Sequence, residues 1–187
     1  MDRTCYVFLA EGFEEIEALT VVDLLRRAGI KCTTVSINDA DQITGSHSIT
    51  VACDAHISDI NIEGEDVLIL PGGMPGTSNL AACETLSDML IKANENKQMI
   101  CAICAAPTVL GGLKLLDGKK ATCYPGCEDR VGKAICVEDE VVTDGNITTS
   151  RGMGTAIPFG IELIRLLIND YEALAMENKI VYKSSNS

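Results

Sequence analysis

The chain has 187 residues, 47% of them hydrophobic, and its 27 acidic against 15 basic residues leave a formal net charge of −12. That length suits one domain with a full core, residues 1–187, and the acidity speaks against nucleic acid and anionic membrane surfaces as partners. No apolar stretch approaches the roughly 18 residues that mark a membrane span.

The N-terminal MDRTCYVFLAEGFEE has too short an apolar run before its acids to read as a signal peptide. Nine cysteines, an odd number without a secretory signal, point to free thiols in a reducing compartment, by default the cytoplasm. Cys5–Ala10 reads as a buried strand. Gly12 turns the chain, and Glu14 to Ala28 spells a helix with Ile16, Leu19, Val22 and Leu25 along one face and Gly29 at its C′ end. Lys31–Ile37 is a second strand, Asp39–Asp41 a polar turn, and Gly45–Cys53 an edge strand or hairpin arm. Val67–Leu70 is a further buried strand, closed by Pro71-Gly72-Gly73. Leu80, Cys83, Leu86 and Leu90 predict one helix running to Ala93. Met99–Ile103 is the central strand, followed almost without a loop by a helix over Ala105–Leu116. Lys120–Cys123 is a short strand, and Ala134–Thr149 reads as strands around an Asp144-Gly145 turn. Thr155–Asn169 is the last long helix, with Pro158 near its first turn and Ile161, Ile164 and Ile168 as its core edge; Lys183–Ser187 is a polar tail. Apolar strands alternating with helices imply a mostly parallel sheet covered on both faces, a three-layer α/β/α sandwich.

In such sheets the site lies outside the carboxyl ends of the strands. Cys104 is pinned there, at a strand-to-helix corner with Ala102 and Ala106 as small neighbours and Pro107 in the first helical turn. The same strained corner presents the serine of the G-x-S-x-G nucleophile elbow. A helix N-terminus favours thiolate, so a cysteine at this corner is expected to ionise more readily than a free thiol. The alternative is a small buried hydrophobe, the commoner fate of free cysteine. Gly72-Gly73 can present backbone N–H groups to an oxyanion beside Cys104, joined by the N–H of Ala105, or can be only a tight turn.

Glu14, Glu15 and Glu17 crowd the first turn of the first helix. Glu14 and Glu15 read as a solvated, dipole-stabilised N-terminus. Glu17 sits one turn in, next to the apolar stripe; aimed inward, it would be desolvated, hold a proton and donate a hydrogen bond to a thiolate. An ionised carboxylate there would raise the thiol pKa instead.

The chain has two histidines, and neither follows the elbow. His56 reads as surface and His47 as a site neighbour rather than a base, so a Cys-His-Asp hydrolase has little to build with. Cys101 lies inside the strand, which argues against a Cys101/Cys104 dithiol and against a zinc site with Cys123 and Cys127; no metal is expected. Arg151-Gly152-Met153-Gly154 before the last helix reads as a cap that could also face a phosphate.

LAEGFEEIEA at 9–18, RRAGI at 26–30, LPGG at 70–73, AICAAPT at 102–108 and TSRGMGT at 149–155 resemble, in order and over nearly the whole chain, the ThiJ/PfpI superfamily, in its branch containing Parkinson disease protein 7 and bacterial relatives. The resemblance implies a flavodoxin-like sandwich of the class I glutamine amidotransferase-like kind, usually homodimeric and needing no cofactor. It implies Cys104 as reactive cysteine, Glu17 as its protonated partner, Gly73 and Ala105 as oxyanion donors, and Gly72, His47, Tyr124, Pro125 and Arg151 as site neighbours. The activities it implies are glutathione-independent glyoxalase, deglycation of methylglyoxal adducts, oxidative-stress sensing through cysteine oxidation, and chaperoning. Peptidase branches carry His directly after the nucleophile, where this chain has Ala105. Tyr124 stands where the Parkinson branch has a His before its proline, and His47 where the family's site has an arginine. The expected function is therefore a cysteine-dependent glyoxalase or deglycase acting on a small reactive aldehyde or glycated substrate. The alternative is a redox sensor or chaperone working through oxidation of Cys104.

Overall fold

The computed structural model describes residues 3–182, so the polar tail at 183–187 lies outside the described residues. Strand β1 (Cys5–Leu9) feeds helix α1 (Glu15–Arg27), which returns through β2 (Cys32–Ser36). A hairpin of β3 (Gln42–Thr44) and β4 (Thr50–Ala52) stands apart from the main sheet, and β5 (Ala55–His56) rejoins it. Strand β6 (Val67–Leu70) leads through α2 (Gly76–Ala82) and α3 (Glu84–Glu95) to β7 (Ile100–Ile103) and the short α4 (Pro107–Gly112). Strands β8 (Lys120–Ala121) and β9 (Ile135–Cys136) pair with each other. Strands β10 (Val141–Asp144) and β11 (Ile147–Ser150) form a hairpin whose tight turn holds Gly145 at φ +64, ahead of α5 (Ala156–Leu167) and α6 (Asp170–Lys179).

The seven-stranded sheet has the order β10-β11-β7-β6-β1-β2-β5, parallel throughout except for β10. Each central strand is apolar on both faces because each face carries its own helical layer. Cys5, Val7 and Leu9 with Val67, Ile69, Cys101 and Ile103 pack on Val21 and Leu25 of α1, Phe159 and Ile164 of α5 and Met176 of α6. The alternate residues, Phe8, Leu68, Leu70, Ile100 and Ala102, pack on Leu80, Leu86, Leu90 and Leu110 of the opposite layer. Burial of each large apolar side chain stabilises the fold by roughly 1.5–3 kcal/mol. The fold is thus the expected α/β/α sandwich.

Several boundaries differ from the pattern reading, each for a local reason. Helix α1 is rotated relative to the predicted stripe: Ile16 is 50% exposed, whereas Glu15 and Glu17 are buried beside Ala18, Val21 and Val22. The predicted helix through Cys83 is two helices, because Cys83 takes an extended conformation (φ −82, ψ 102) and caps both. The helix predicted to reach Leu116 ends at Gly112. Gly111 lies against the Val131 backbone, where a Cβ would collide, and the glycine pair is a poor helix former. The last predicted helix stops at Leu167, and Ile168, expected in the core, is 40% exposed. A further helix, α6, follows, opened by Asn169, whose side chain accepts from the Glu172 N–H at 2.9 Å. The N-cap signal, Asn169 three residues before Glu172, was present in the sequence.

Candidate active site

Strand order reverses at β1, from which the chain builds outward to β2 on one side and to β6 and β7 on the other. The carboxyl ends of β1, β6 and β7 therefore meet at one crevice. Cys104 follows β7 directly and adopts φ +65, in the left-handed region that costs a non-glycine residue on the order of 1 kcal/mol. Neighbouring strands and loops hold it there: its N–H donates to the Ser150 carbonyl at 2.9 Å, and its carbonyl accepts from the Tyr124 N–H at 2.7 Å. Ala102 and Ala106 are fully buried, leaving no room for larger neighbours.

The loop after β6 closes over this corner. A Cβ on Gly72 would lie 2.7 Å from the Cys104 Cβ and 2.7 Å from Glu17 Oε2, so only glycine allows thiol and carboxyl to meet. Gly73 has φ +92 and lies against the Glu14 backbone. The backbone N–H groups of Gly73 and Ala105 lie beside the Cys104 sulfur and favour its charged form, which brings both predicted oxyanion donors to one corner.

Glu17 is 1% exposed. Its Oε2 accepts from the Gly72 N–H at 2.8 Å and its carboxyl lies beside the Cys104 thiol, while Oε1 is buried without a partner. Burial pushes this carboxyl from its ordinary 4.5 to about 7, against the bonds from Cys104 and Gly72 and with the nearby charge of Glu14. Burial also pushes the Cys104 thiol up, and an ionised Glu17 pushes it further, by charge and by hydrogen bonding; the Ala105 and Gly73 N–H groups pull it back. The corner alone therefore does not ionise the sulfur, as the helix-terminus reading had it, and α4 begins only at Pro107. What the site resists is two adjacent buried negative charges, so thiol and carboxyl titrate as one pair.

A pocket of about 650 Å³ opens on this pair. Tyr124, Pro125 and Arg151 line it as expected, together with Glu14, Cys127 and Met153, which the sequence had read in other roles, and Met74 and Arg130, which it did not single out. Cys127 and Arg130 come from the loop after β8, whose path no local motif announces.

The family model for the DJ-1/PfpI family matches residues 3–166. The chain belongs to the DJ-1/PfpI family. It is 36% identical over 177 residues to "Protein DJ-1 homolog B" of Arabidopsis thaliana, covering 94% of this chain but 40% of that relative. It thus spans well under half of the plant relative's length. It is 30% identical over 159 residues, 84% of each chain, to "Glutathione-independent glyoxalase DJR-1.2" of Caenorhabditis elegans. The crystal structure of Drosophila melanogaster DJ-1beta superposes with a TM-score of 0.93 at 33% identity, covering 98% of this chain and 100% of that one.

In this DJ-1/PfpI chain two carboxylates expected in solvent behave otherwise. Glu15 is 3% exposed; it accepts from the His47 N–H at 2.7 Å and the Ile49 N–H at 3.4 Å, with Ser46 Oγ and His47 Nδ1 also beside it. Burial opposes its charge, but its own N–H and those of His47 and Ile49, with the His47 ring, outweigh burial and hold it below the usual range. Glu14, half-buried, reaches the pocket while its Oε2 accepts from Ser46 Oγ at 3.2 Å. His47, expected as a site neighbour, turns its ring to Glu15 and is absent from the pocket wall, because the turn after β3 is tied to that carboxylate. Cys101 is fully buried in β7 with its thiol pushed up by desolvation, which rules out the Cys101/Cys104 dithiol. Among the described residues, Glu14, Glu15 and His47 are the group whose ligand atoms lie within 4.8 Å of one another, an arrangement explained by the bonds of His47 to Glu15 and of Ser46 Oγ to both carboxylates. No helix among the described residues is long and apolar enough to cross a membrane.

Proposed function

We propose that this chain is a cysteine-dependent, glutathione-independent glyoxalase acting on methylglyoxal or its adducts. The observation that carries the reading is that one pocket brings Cys104, the Gly73 and Ala105 backbone and a buried carboxyl with an unpartnered oxygen together. A buried carboxylate oxygen without a donor is costly; a proton on Glu17 removes the charge and supplies a donor. Thiolate Cys104 beside neutral Glu17 is then the reactive form of the pair. The sulfur adds to the aldehyde carbon, the carbonyl electron pair becomes an oxyanion held by the two N–H groups, and Glu17 supplies its proton. Glu17, now ionised, takes the proton from the former aldehyde carbon, and through the enediol that proton returns at the neighbouring carbon. The aldehyde carbon is oxidised to a thioester while the ketone is reduced to an alcohol, and water cleaves the thioester to lactate and free thiol.

The relative named as a glutathione-independent glyoxalase supports the reading. Ala105, in place of a histidine after the nucleophile, weighs against a peptidase. We place the protein, as a homodimer, in the cytoplasm, where a reducing milieu suits its nine free thiols. The test is lactate formation from methylglyoxal by the wild type and by Cys104→Ser: the first is expected to turn over and the second to be inactive. Activity surviving in Cys104→Ser removes the sulfur from the mechanism. Should neither protein turn over while peroxide oxidises Cys104 ahead of the other eight cysteines by intact mass, redox sensing takes the place of catalysis.

A further inference from the structure

The sequence has six arginines. Arg3, Arg26, Arg27 and Arg165 are each ion-paired with a carboxylate. Arg130 and Arg151 have no ion-pair partner among the described residues, and both line the pocket that opens on Cys104. In a chain with 27 acidic residues, leaving two guanidinium groups without a carboxylate at one cavity is a notable asymmetry. Arg130 donates to Cys127 Sγ at 3.0 Å, which leaves most of its N–H groups unused, and the Arg151 side chain has no hydrogen-bond partner among the described residues.

The acids at this cavity do not cancel them. Glu17 is the buried partner of the thiol, and Glu14 is drawn toward Ser46 and His47. The rest of the wall is largely apolar, with Met74, Pro125 and Met153 beside the Tyr124 ring. About 650 Å³ is also far more room than methylglyoxal needs, since pockets of roughly 300–1,000 Å³ hold drug-sized ligands. Resting on the glyoxalase reading, we propose that the pocket selects 2-oxoaldehydes that carry an anionic group on a short apolar chain, with Arg151 and Arg130 holding the anion and Cys104 the aldehyde.

A carboxylate-bearing case is 4,5-dioxopentanoate. Cys104 Sγ bonds to its aldehyde carbon; the proton on that carbon leaves to Glu17 and returns at the adjacent carbon. The aldehyde carbon is thereby oxidised to thioester and the ketone reduced to alcohol, and water cleaves the C–S bond to give 2-hydroxyglutarate and the free thiol. Planar guanidinium groups recognise a carboxylate through paired, charge-assisted N–H donors, which a neutral chain of equal length cannot use.

The experiment compares kcat/KM for 4,5-dioxopentanoate and for neutral 2-oxohexanal. The anionic substrate is expected to be favoured by about tenfold or more, the ratio falling toward unity in Arg151→Gln. Arg130→Gln, at an exposed position, reads the same ratio should Arg151→Gln fail to fold. In parallel, glutarate and neutral glutaramide are titrated calorimetrically into Cys104→Ala protein, with and without Arg151→Gln. Equal turnover of the two aldehydes overturns the inference and leaves the glyoxalase reading standing. Turnover of neither aldehyde nor of methylglyoxal, with tighter glutarate binding that Arg151→Gln abolishes, sinks the glyoxalase reading and sustains the anion-selective pocket. Absence of both turnover and charge-dependent binding overturns both.

Discussion

Glu15 and Glu17 lie two positions apart on the first turn of α1, both buried, yet their environments drive them to opposite charge states. Glu15 faces the turn after β3, whose N–H groups aim at its oxygens and keep it ionised. Glu17 faces the Cys104 corner, where one N–H reaches Oε2 and Oε1 meets none, and its carboxyl is pushed up to about 7. Burial sets the penalty on a charge, but the number of donors decides whether the charge survives it. One carboxylate fastens a loop; the other is left poised to exchange a proton.

The sharpest way to break this contrast is to delete each carboxyl in turn. Glu17→Ala is expected to lower kcat for methylglyoxal by about 10²–10⁴-fold, the usual contribution of a positioned acid–base group. A loss below threefold, read by lactate formation, would mean that Glu17 moves no proton. Glu15→Ala is expected to act on stability instead, costing on the order of 2–4 kcal/mol by chemical denaturation because it strands the donors of the 46–49 turn. Were Glu15→Ala to shift the Cys104 titration as much as Glu17→Ala does, the division of labour between the two would be wrong.

The pH dependence of stability separates them further. Glu17 is raised in the folded state, so the native protein holds a proton the unfolded chain has lost. Its contribution is full below about 4.5 and is lost as pH rises through about 7, a change of a few kcal/mol that Glu17→Gln should remove. Glu15 is lowered, so its contribution runs the other way: present above the ordinary carboxylate range and lost as pH falls through its folded value. Denaturant midpoints measured across this span that do not differ between wild type and Glu17→Gln would contradict the raised carboxyl.

The smallest expected effect concerns the thiol itself. Glu17→Gln keeps a donor beside the sulfur without a charge, whereas Glu17→Ala keeps neither. Ultraviolet titration of the thiolate should give a Cys104 pKa lower in Gln than in Ala by about one unit. Equal values would show that hydrogen bonding from position 17 does not support the thiolate.

The contrast also marks what was legible in the chain before folding. The alternation of apolar runs with helical patterns is a local property, and it yielded the sandwich, the βα corner at Cys104 and the tight loop at Gly72-Gly73. The inward aim of Glu17 was also readable from its spacing, although Ile16, taken as its apolar neighbour, is half exposed. The fate of Glu15 was not readable, because its donors come from residues 46–49, some thirty positions away on another element. The Cys83 break between α2 and α3 carries no glycine or proline to announce it.

By itself, then, the sequence determined the alternation of strands and helices, the layered sandwich and the residue placed at the strained corner, since backbone sterics and hydrophobic period act within a few residues. Only the tertiary structure decided how the corner is charged and what it faces. Gathering Met74, Cys127 and Arg130 around one cavity, and withholding a donor from Glu17 Oε1, depends on how distant loops are set by the whole sheet. Electrostatics in a buried site is a sum over neighbours in space, and the chain order does not contain that sum.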